Sequence, residues 1–138
     1  MKIILLLGEG NSGKTTTCEL LRDYLLEKCN RITQQGMRQY NFDKSQKGDL
    51  NFLCELGKKK ILISSQGDIL SKVKEKINKY TDLIQDGIFV FACRIHFTEV
   101  IELAKAKSGE NFVQILKNKA NNEDNDRALK EILKEIEL

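Results

Sequence analysis

The chain opens on Ile3-Ile4-Leu5-Leu6-Leu7, an unbroken apolar run that stops at Gly8. A short run without polar alternation is how a central strand buried on both faces reads. From Lys14 the period changes. Cys18, Leu21, Leu25 and Leu26 recur at helical spacing among Glu19, Arg22, Asp23, Glu27 and Lys28. The spacing predicts an amphipathic helix to about Cys29. A buried strand, a glycine-bearing loop and a helix therefore follow one another without a break.

The rest of the chain continues the alternation. Residues 30–48 are polar, carry Gly36 and Gly48, and show little periodicity; a loop of that length in a small domain is uncommon and often functional. Residues 50–56 and 60–64 read as strands joined by Gly57-Lys58, a hairpin whose first strand runs antiparallel to its neighbour. After Gln66-Gly67-Asp68, a helix buries Ile69, Leu70, Val73 and Ile77 and turns Lys72, Lys74, Glu75 and Lys76 outward. Residues 88–93 form a second unalternating apolar run. Thr98 is placed to cap a helix through Lys105, ended by Ser108-Gly109, and residues 112–116 read as a last strand. Residues 117–126 read as an Asn/Asp-rich loop, from which Asp126 caps a closing helix of Leu129, Ile132, Leu133 and Ile136.

Strands alternating with helices imply an α/β fold of three layers. The expected sheet has five mostly parallel strands, one antiparallel hairpin strand at its edge, and helices on both faces. At 138 residues a single domain is expected over 1–138. Ligands in such sheets sit at the carboxyl ends of the strands. Here those ends are residues 8–15, residues 64–68 and residues 94–96, so three polar clusters are expected to converge.

With 41% apolar and 31% charged residues the chain reads as globular. Its formal charge of +3 is dispersed through alternating Lys and Glu, so nothing demands a nucleic-acid partner. The N-terminal apolar run is too short to cross a bilayer or to serve as the core of a signal peptide. Cys18, Cys29, Cys54 and Cys93 form no C-x-x-C pair, and His96 completes no zinc pattern with them. The expectation is a cytoplasmic protein without a membrane partner, its cysteines acting as small apolar residues.

Gly8-Glu9-Gly10-Asn11-Ser12-Gly13-Lys14-Thr15 matches G-x-x-x-x-G-K-[ST] at every fixed position. The glycines let the backbone curl so that successive N–H groups face phosphate oxygens, and the loop delivers them to a helix N-terminus that favours anions. Lys14 would place a positive charge on the β- and γ-phosphates from an exposed position, and the Thr15 hydroxyl suits Mg²⁺. Over residues 2–28 the chain resembles the P-loop NTPases. That resemblance implies binding of Mg²⁺ and ATP, or another nucleoside triphosphate, by Gly8, Gly10, Asn11, Ser12, Gly13, Lys14, Thr15 and Thr16. Lys14 and Thr15 take the lysine and magnesium roles of the motif.

P-loop proteins usually carry an acidic residue near the end of a neighbouring strand, which makes Asp68 a second metal candidate; it serves equally well as the cap of the next helix. Ser64, Ser65 and Gln66 could orient a water, although turn chemistry accounts for each. Arg94 resembles, in placement only, the arginine that small P-loop kinases lay on adenine or on the transferred phosphate. His96 reads as a surface histidine. In the long loop, Arg31, Arg38, Tyr40, Asp43 and Lys44 could meet a small-molecule acceptor or a protein partner. Asn125-Asp126-Arg127-Ala128 resembles the C-terminal end of small kinases of the shikimate or adenylate kinase type.

Three functions stay open: an NTPase or small-molecule kinase with Lys14, Asp68 and Arg94 in the reaction, a regulatory nucleotide-binding module, and a Ras-like switch. A kinase lid has little room, because one helix fills residues 98–109. The switch is disfavoured because Ser64-Ser65-Gln66-Gly67 lacks the aspartate of D-x-x-G. In addition, Asn118-Lys119-Ala120-Asn121 ends in an amide, which cannot accept both guanine N–H bonds as a carboxylate does.

Overall fold

A computed structural model describes residues 1–29, 31–34 and 50–136, with the backbone alone for 31–34. Arg38, Tyr40, Asp43 and Lys44, and the side chain of Arg31, lie outside the described residues.

β1 (Lys2–Gly8) holds the apolar run and is buried from Ile3 onward. Because successive side chains of a strand point to opposite faces, Ile4 and Leu6 enter one hydrophobic cluster and Ile3, Leu5 and Leu7 the other. The first cluster is completed by Cys18, Leu21 and Leu25 of α1 (Lys14–Leu26) and by Ala128, Ile132 and Ile136 of α4 (Asn122–Ile136). The second takes Val73, Ile77 and Tyr80 from α2 (Leu70–Leu83), and Val100 and Ala104 from α3 (Thr98–Ser108). Two helices on each face of one sheet make three layers.

The remaining strands are β2 (Arg31–Gln34), β3 (Asn51–Leu56), β4 (Lys59–Ser64), β5 (Ile88–Arg94) and β6 (Phe112–Lys117), in the order β2-β3-β4-β5-β1-β6. β1 runs parallel to both of its neighbours and β4 runs parallel to β5. β3 is antiparallel to both β4 and β2. The sheet thus has six strands rather than the expected five, and its one reversed strand lies inside β2 instead of at the edge. β2 escaped the sequence reading because Arg31-Ile32-Thr33-Gln34 offers a single aliphatic residue, and its pairing is a backbone matter.

Helix starts depart from expectation at three places. Asp68 does not cap α2, since Ile69 precedes the helix and no side chain caps it. Thr98 is the first residue of α3, with Phe97 before it. α4 starts at Asn122, and the residue before it, Asn121, accepts the Asp124 N–H at 2.8 Å through Oδ1, so Asp126 is already helical. The polar stretch 122–125 looks like loop, yet Glu123 and Asp124 suit the first turn of a helix, where its dipole favours negative charge. At the other end of α4, Lys2 Nζ donates to Glu135 O at 2.8 Å and Lys59 Nζ to Ile136 O at 3.0 Å, supplying partners to carbonyls the helix leaves free. Two residues expected on one side lie on the other: Arg22 is buried, and Ile69 is 48% exposed.

Cys18 and Cys93 are buried, and burial pushes both thiols up to about 12, in keeping with small apolar residues. Cys29 and Cys54 depart from that expectation by forming a disulfide between the segment after α1 and the middle of β3. They are 25 residues apart, and spacing along the chain does not reveal which thiols a fold brings together. Titrating thiols in the denatured, unreduced protein should therefore count two groups, Cys18 and Cys93, rising to four after reduction; four at the outset would refute the pairing.

Candidate functional site

Neighbouring strands β1 and β5 send their following helices, α1 and α3, to opposite faces of the sheet. Such a divergence opens a crevice at the carboxyl ends of the two strands. Gly8 and Arg94, in register across the pair, mark that place. The chain between Gly8 and Lys14 then turns sharply. Asn11 and Gly13 both have positive φ, 62° and 89°, and Ser12 N–H donates to Glu9 O at 3.3 Å. Asn tolerates the left-handed region through its short polar side chain. Gly13 is required twice over, because a Cβ there would also stand 2.7 Å from Asn125 Oδ1.

This turn feeds α1 with no side-chain cap and no acidic residue in the first turn. The free N–H groups and positive end of the helix dipole therefore face outward uncompensated. They open onto a cavity of about 310 Å³ lined by residues 11–16 with Ser65, Asp68 and Ala120. Thr15 and Thr16 thus lie on its wall, while Thr17 turns back and donates through Oγ1 to Gly13 O at 2.9 Å. Ser12 also lines the wall, but its hydroxyl turns back against the position a Cβ of Gly8 would take and is buried without a hydrogen-bond partner.

Lys14, expected to be exposed, is only 6% exposed. Its ammonium folds back over the loop and donates to Glu9 O at 2.7 Å and Gly8 O at 3.2 Å. Desolvation holds its pKa below the ordinary lysine value; Asp68 opposes that shift and Arg94 adds to it. Lys14, Asp68 and Arg94 therefore share one electrostatic environment.

Behind the loop lies a cluster that the sequence reading missed. Lys117, at the end of β6, is in register with Gly8, and its side chain is completely buried. Its ammonium pairs with Asp124 at 2.8 Å and also donates to Lys119 O. The same Asp124 carboxylate accepts the N–H groups of Asn118 at 2.9 Å and Lys119 at 3.0 Å, and Arg127 Nε at 3.0 Å. These bonds, the Lys117 one foremost, hold the Asp124 carboxyl far below the usual carboxylate range. They set residues 118–121 so that Ala120 closes one side of the cavity. Asn125, next along α4, abuts Gly13 and keeps its buried Oδ1 unpartnered. The signal was present as a lysine ending a strand with Asn121 and Asp124 at a capping spacing, but nothing in the chain says which loop they support.

The other candidates divide. Asp68 lines the cavity and binds Arg94 Nε through Oδ1 at 3.1 Å. The Ser64 hydroxyl donates to Asn51 Oδ1 at 2.7 Å and Ser65 Oγ accepts the Leu50 N–H at 2.7 Å, so both serine side chains tie β4 to the start of β3. His96 is exposed and meets Phe97 edge-on at 5.0 Å. Among the described residues no group of three or more His, Cys, Asp or Glu is placed to hold a metal ion. The oxygen-bearing side chains of Thr15 and Asp68 both line the cavity.

Compared with known proteins, the chain matches no family model, no curated protein and no solved structure. No helix of the described residues is long and apolar enough to cross a membrane.

Two outcomes follow from the support of the loop. Gly13→Ala should destabilise the protein by about 1–3 kcal/mol through backbone strain alone, with the Asn125 contact adding to it; an unchanged melting temperature would contradict the geometry. Asp124 has a folded pKa below its unfolded value, so between the two the unfolded chain binds more protons. Its contribution is complete above the unfolded carboxylate value of about 3.9 and is lost as pH falls below it. Asp124→Asn should flatten that acid limb and cost about 3–5 kcal/mol at neutral pH by leaving the buried Lys117 ammonium without its counter-charge. Denaturant titrations from pH 2 to 7 read both effects.

Proposed function

We propose that residues 8–15 bind the phosphates of ATP, or of another nucleoside triphosphate, in the manner of the P-loop NTPases, with Mg²⁺ arriving on the phosphates. The observation that carries the reading is the uncapped N-terminus of α1, opening with its left-handed approach onto a cavity lined by residues 11–16. A polyphosphate supplies what that helix end lacks. Its oxygens accept from the free N–H groups, and their charge rewards the helix end by about 0.3–1 kcal/mol.

Lys14 contributes more, about 1.5–3 kcal/mol for hydrogen bonds to a charged partner. Its ammonium currently rests on Glu9 O and Gly8 O, from which it can turn to phosphate oxygens without leaving the loop. Thr15 and Asp68 are the oxygens available to the metal, whose chemistry is to neutralise charge on the terminal phosphates. Guanine is the disfavoured base. Asn121, last residue of the would-be guanine reader, already spends its amide oxygen on the Asp124 N–H.

Among the described residues the cavity is open to solvent, and one helix, α3, fills the chain between β5 and the turn that leads into β6. Water is thereby admitted to the terminal phosphate, which favours hydrolysis over clean transfer to an acceptor. A second reading, a regulatory module that binds nucleotide and turns it over slowly, draws support from Asp68 and Arg94 being engaged with each other.

Calorimetry with Mg·ATP tests binding, and labelled ATP separates the reactions: free phosphate marks a hydrolase, label on a metabolite a kinase, and intact nucleotide a binding module. Lys14→Ala should weaken Mg·ATP by at least ~10-fold, the lower end of a charged hydrogen bond. Because Lys14 is buried, its melting curve is recorded alongside to separate lost binding from lost fold. The absence of any heat with ATP or GTP at millimolar concentration would sink the phosphate-site reading.

A further inference from the structure

The two charged groups that a phosphate chain would meet at the lip of the cavity carry opposite signs, and they are bound to each other. Arg94 Nε lies 3.1 Å from Asp68 Oδ1, and their side chains are 37% and 64% exposed. The backbone enforces the meeting. Arg94 N–H donates to Gly67 O at 3.2 Å. Gly67 lies so close on β5 that a Cβ would stand 2.6 Å from the Ala92 carbonyl, so the residue before Asp68 has to be glycine. On its other side the guanidinium rests on the phosphate loop, with Nη2 3.1 Å from where a Cβ of Gly10 would be. Asp68 is the single carboxylate among the residues that line the cavity.

Resting on the reading of that cavity as a triphosphate site, we propose that the Asp68–Arg94 ion pair makes the site select metal-bound over metal-free polyphosphate. A bare polyphosphate meets the Asp68 carboxylate with like charge, and it brings nothing to replace Arg94 as that carboxylate's partner. A divalent cation carried on the phosphates supplies the replacement. Asp68 turns to the metal, and Arg94, already lying on Gly10, is released to donate to a phosphate oxygen. The exchange is feasible because an exposed ion pair is weak. Among the described residues no group of three His, Cys, Asp or Glu is placed to hold the metal without the phosphates. Arg94 is thus a binding residue held in reserve, and Asp68 decides when it is released.

Calorimetry with ATP, once with excess Mg²⁺ and once with EDTA, tests the device on the wild type, Asp68→Asn, and Asp68→Asn combined with Arg94→Gln. The wild type should favour Mg·ATP by at least 10-fold. Asp68→Asn should bind metal-free ATP more than 3-fold tighter than the wild type and Mg·ATP more weakly, narrowing the preference. In the double variant the gain for metal-free ATP should vanish, because Arg94 provides it. If Asp68→Asn only loses Mg·ATP affinity and gains none for the metal-free form, Asp68 is a plain metal ligand and the selection device is wrong, while the triphosphate site stands. If the wild type binds neither form, the site and the device fall together.

Discussion

β1 is hydrogen-bonded along one edge to β5 and along the other to β6, and helices cover both of its faces. Its carboxyl end is therefore held from four directions. That immobility lets the next few residues adopt conformations the chain would not choose by itself. Left-handed Asn11 and Gly13 persist because Gly8 is fixed on one side, and α1 is seated against the sheet and α4 on the other. A loop between two such anchors can aim N–H groups at the cavity, with Ser12 N–H spent on the loop's own Glu9 carbonyl.

The electrostatics are layered by depth. Deepest is the Lys117–Asp124 pair, which is internally neutral and so adds little net field at the cavity; its work is to position residues 118–121 against Gly13. Above it, Lys14 bears a charge that desolvation already disfavours, leaving it short of compensation. Outermost, Asp68 and Arg94 cancel in solvent. Among the residues described at the cavity, positive character thus centres on Lys14 and the end of α1, where it matters most for an anion. A surface charge of the same sign would be screened by salt; one in a lined cavity is screened much less.

The parts of this arrangement visible in the sequence are those written in local pattern. Residues 3–7, α1, the β3–β4 hairpin, α2, β5 and α3 each carry a period or turn signal of their own, and the structure places an element at each of them. The convergence of residues 8–15, Asp68 and Arg94 also followed from the rule on strand ends, since parallel topology alone brings those ends together. What stayed hidden depends on contacts between distant segments. β2 exists only by pairing with β3. The burial of Lys14 results from its ammonium reaching back to Gly8 and Glu9. Asp68 serves Arg94, across 26 residues of chain, where local propensity would have made it a helix cap. The start of α4 was misplaced because a run of Asn, Glu and Asp supports either a loop or an N-terminal helical turn, and only Asn121 closing onto Asp124 decides it.

The disulfide belongs to the same argument about anchoring, at the far end of the molecule. α1 has 13 residues and so spans about 20 Å. Its first turn is fixed by Gly13 and the contacts of α4, and just beyond its last turn Cys29 is tied to Cys54 of β3. A rod held at one end can still pivot, and a pivot about the core would swing the N–H groups that define the cavity. Held at both ends, with Leu21 and Leu25 packed on the sheet between them, it keeps its axis. A contact more than ten residues from the loop in sequence thereby constrains the direction in which the helix end points. The geometry of the site is consequently a property of the whole α1–sheet contact as much as of residues 8–15.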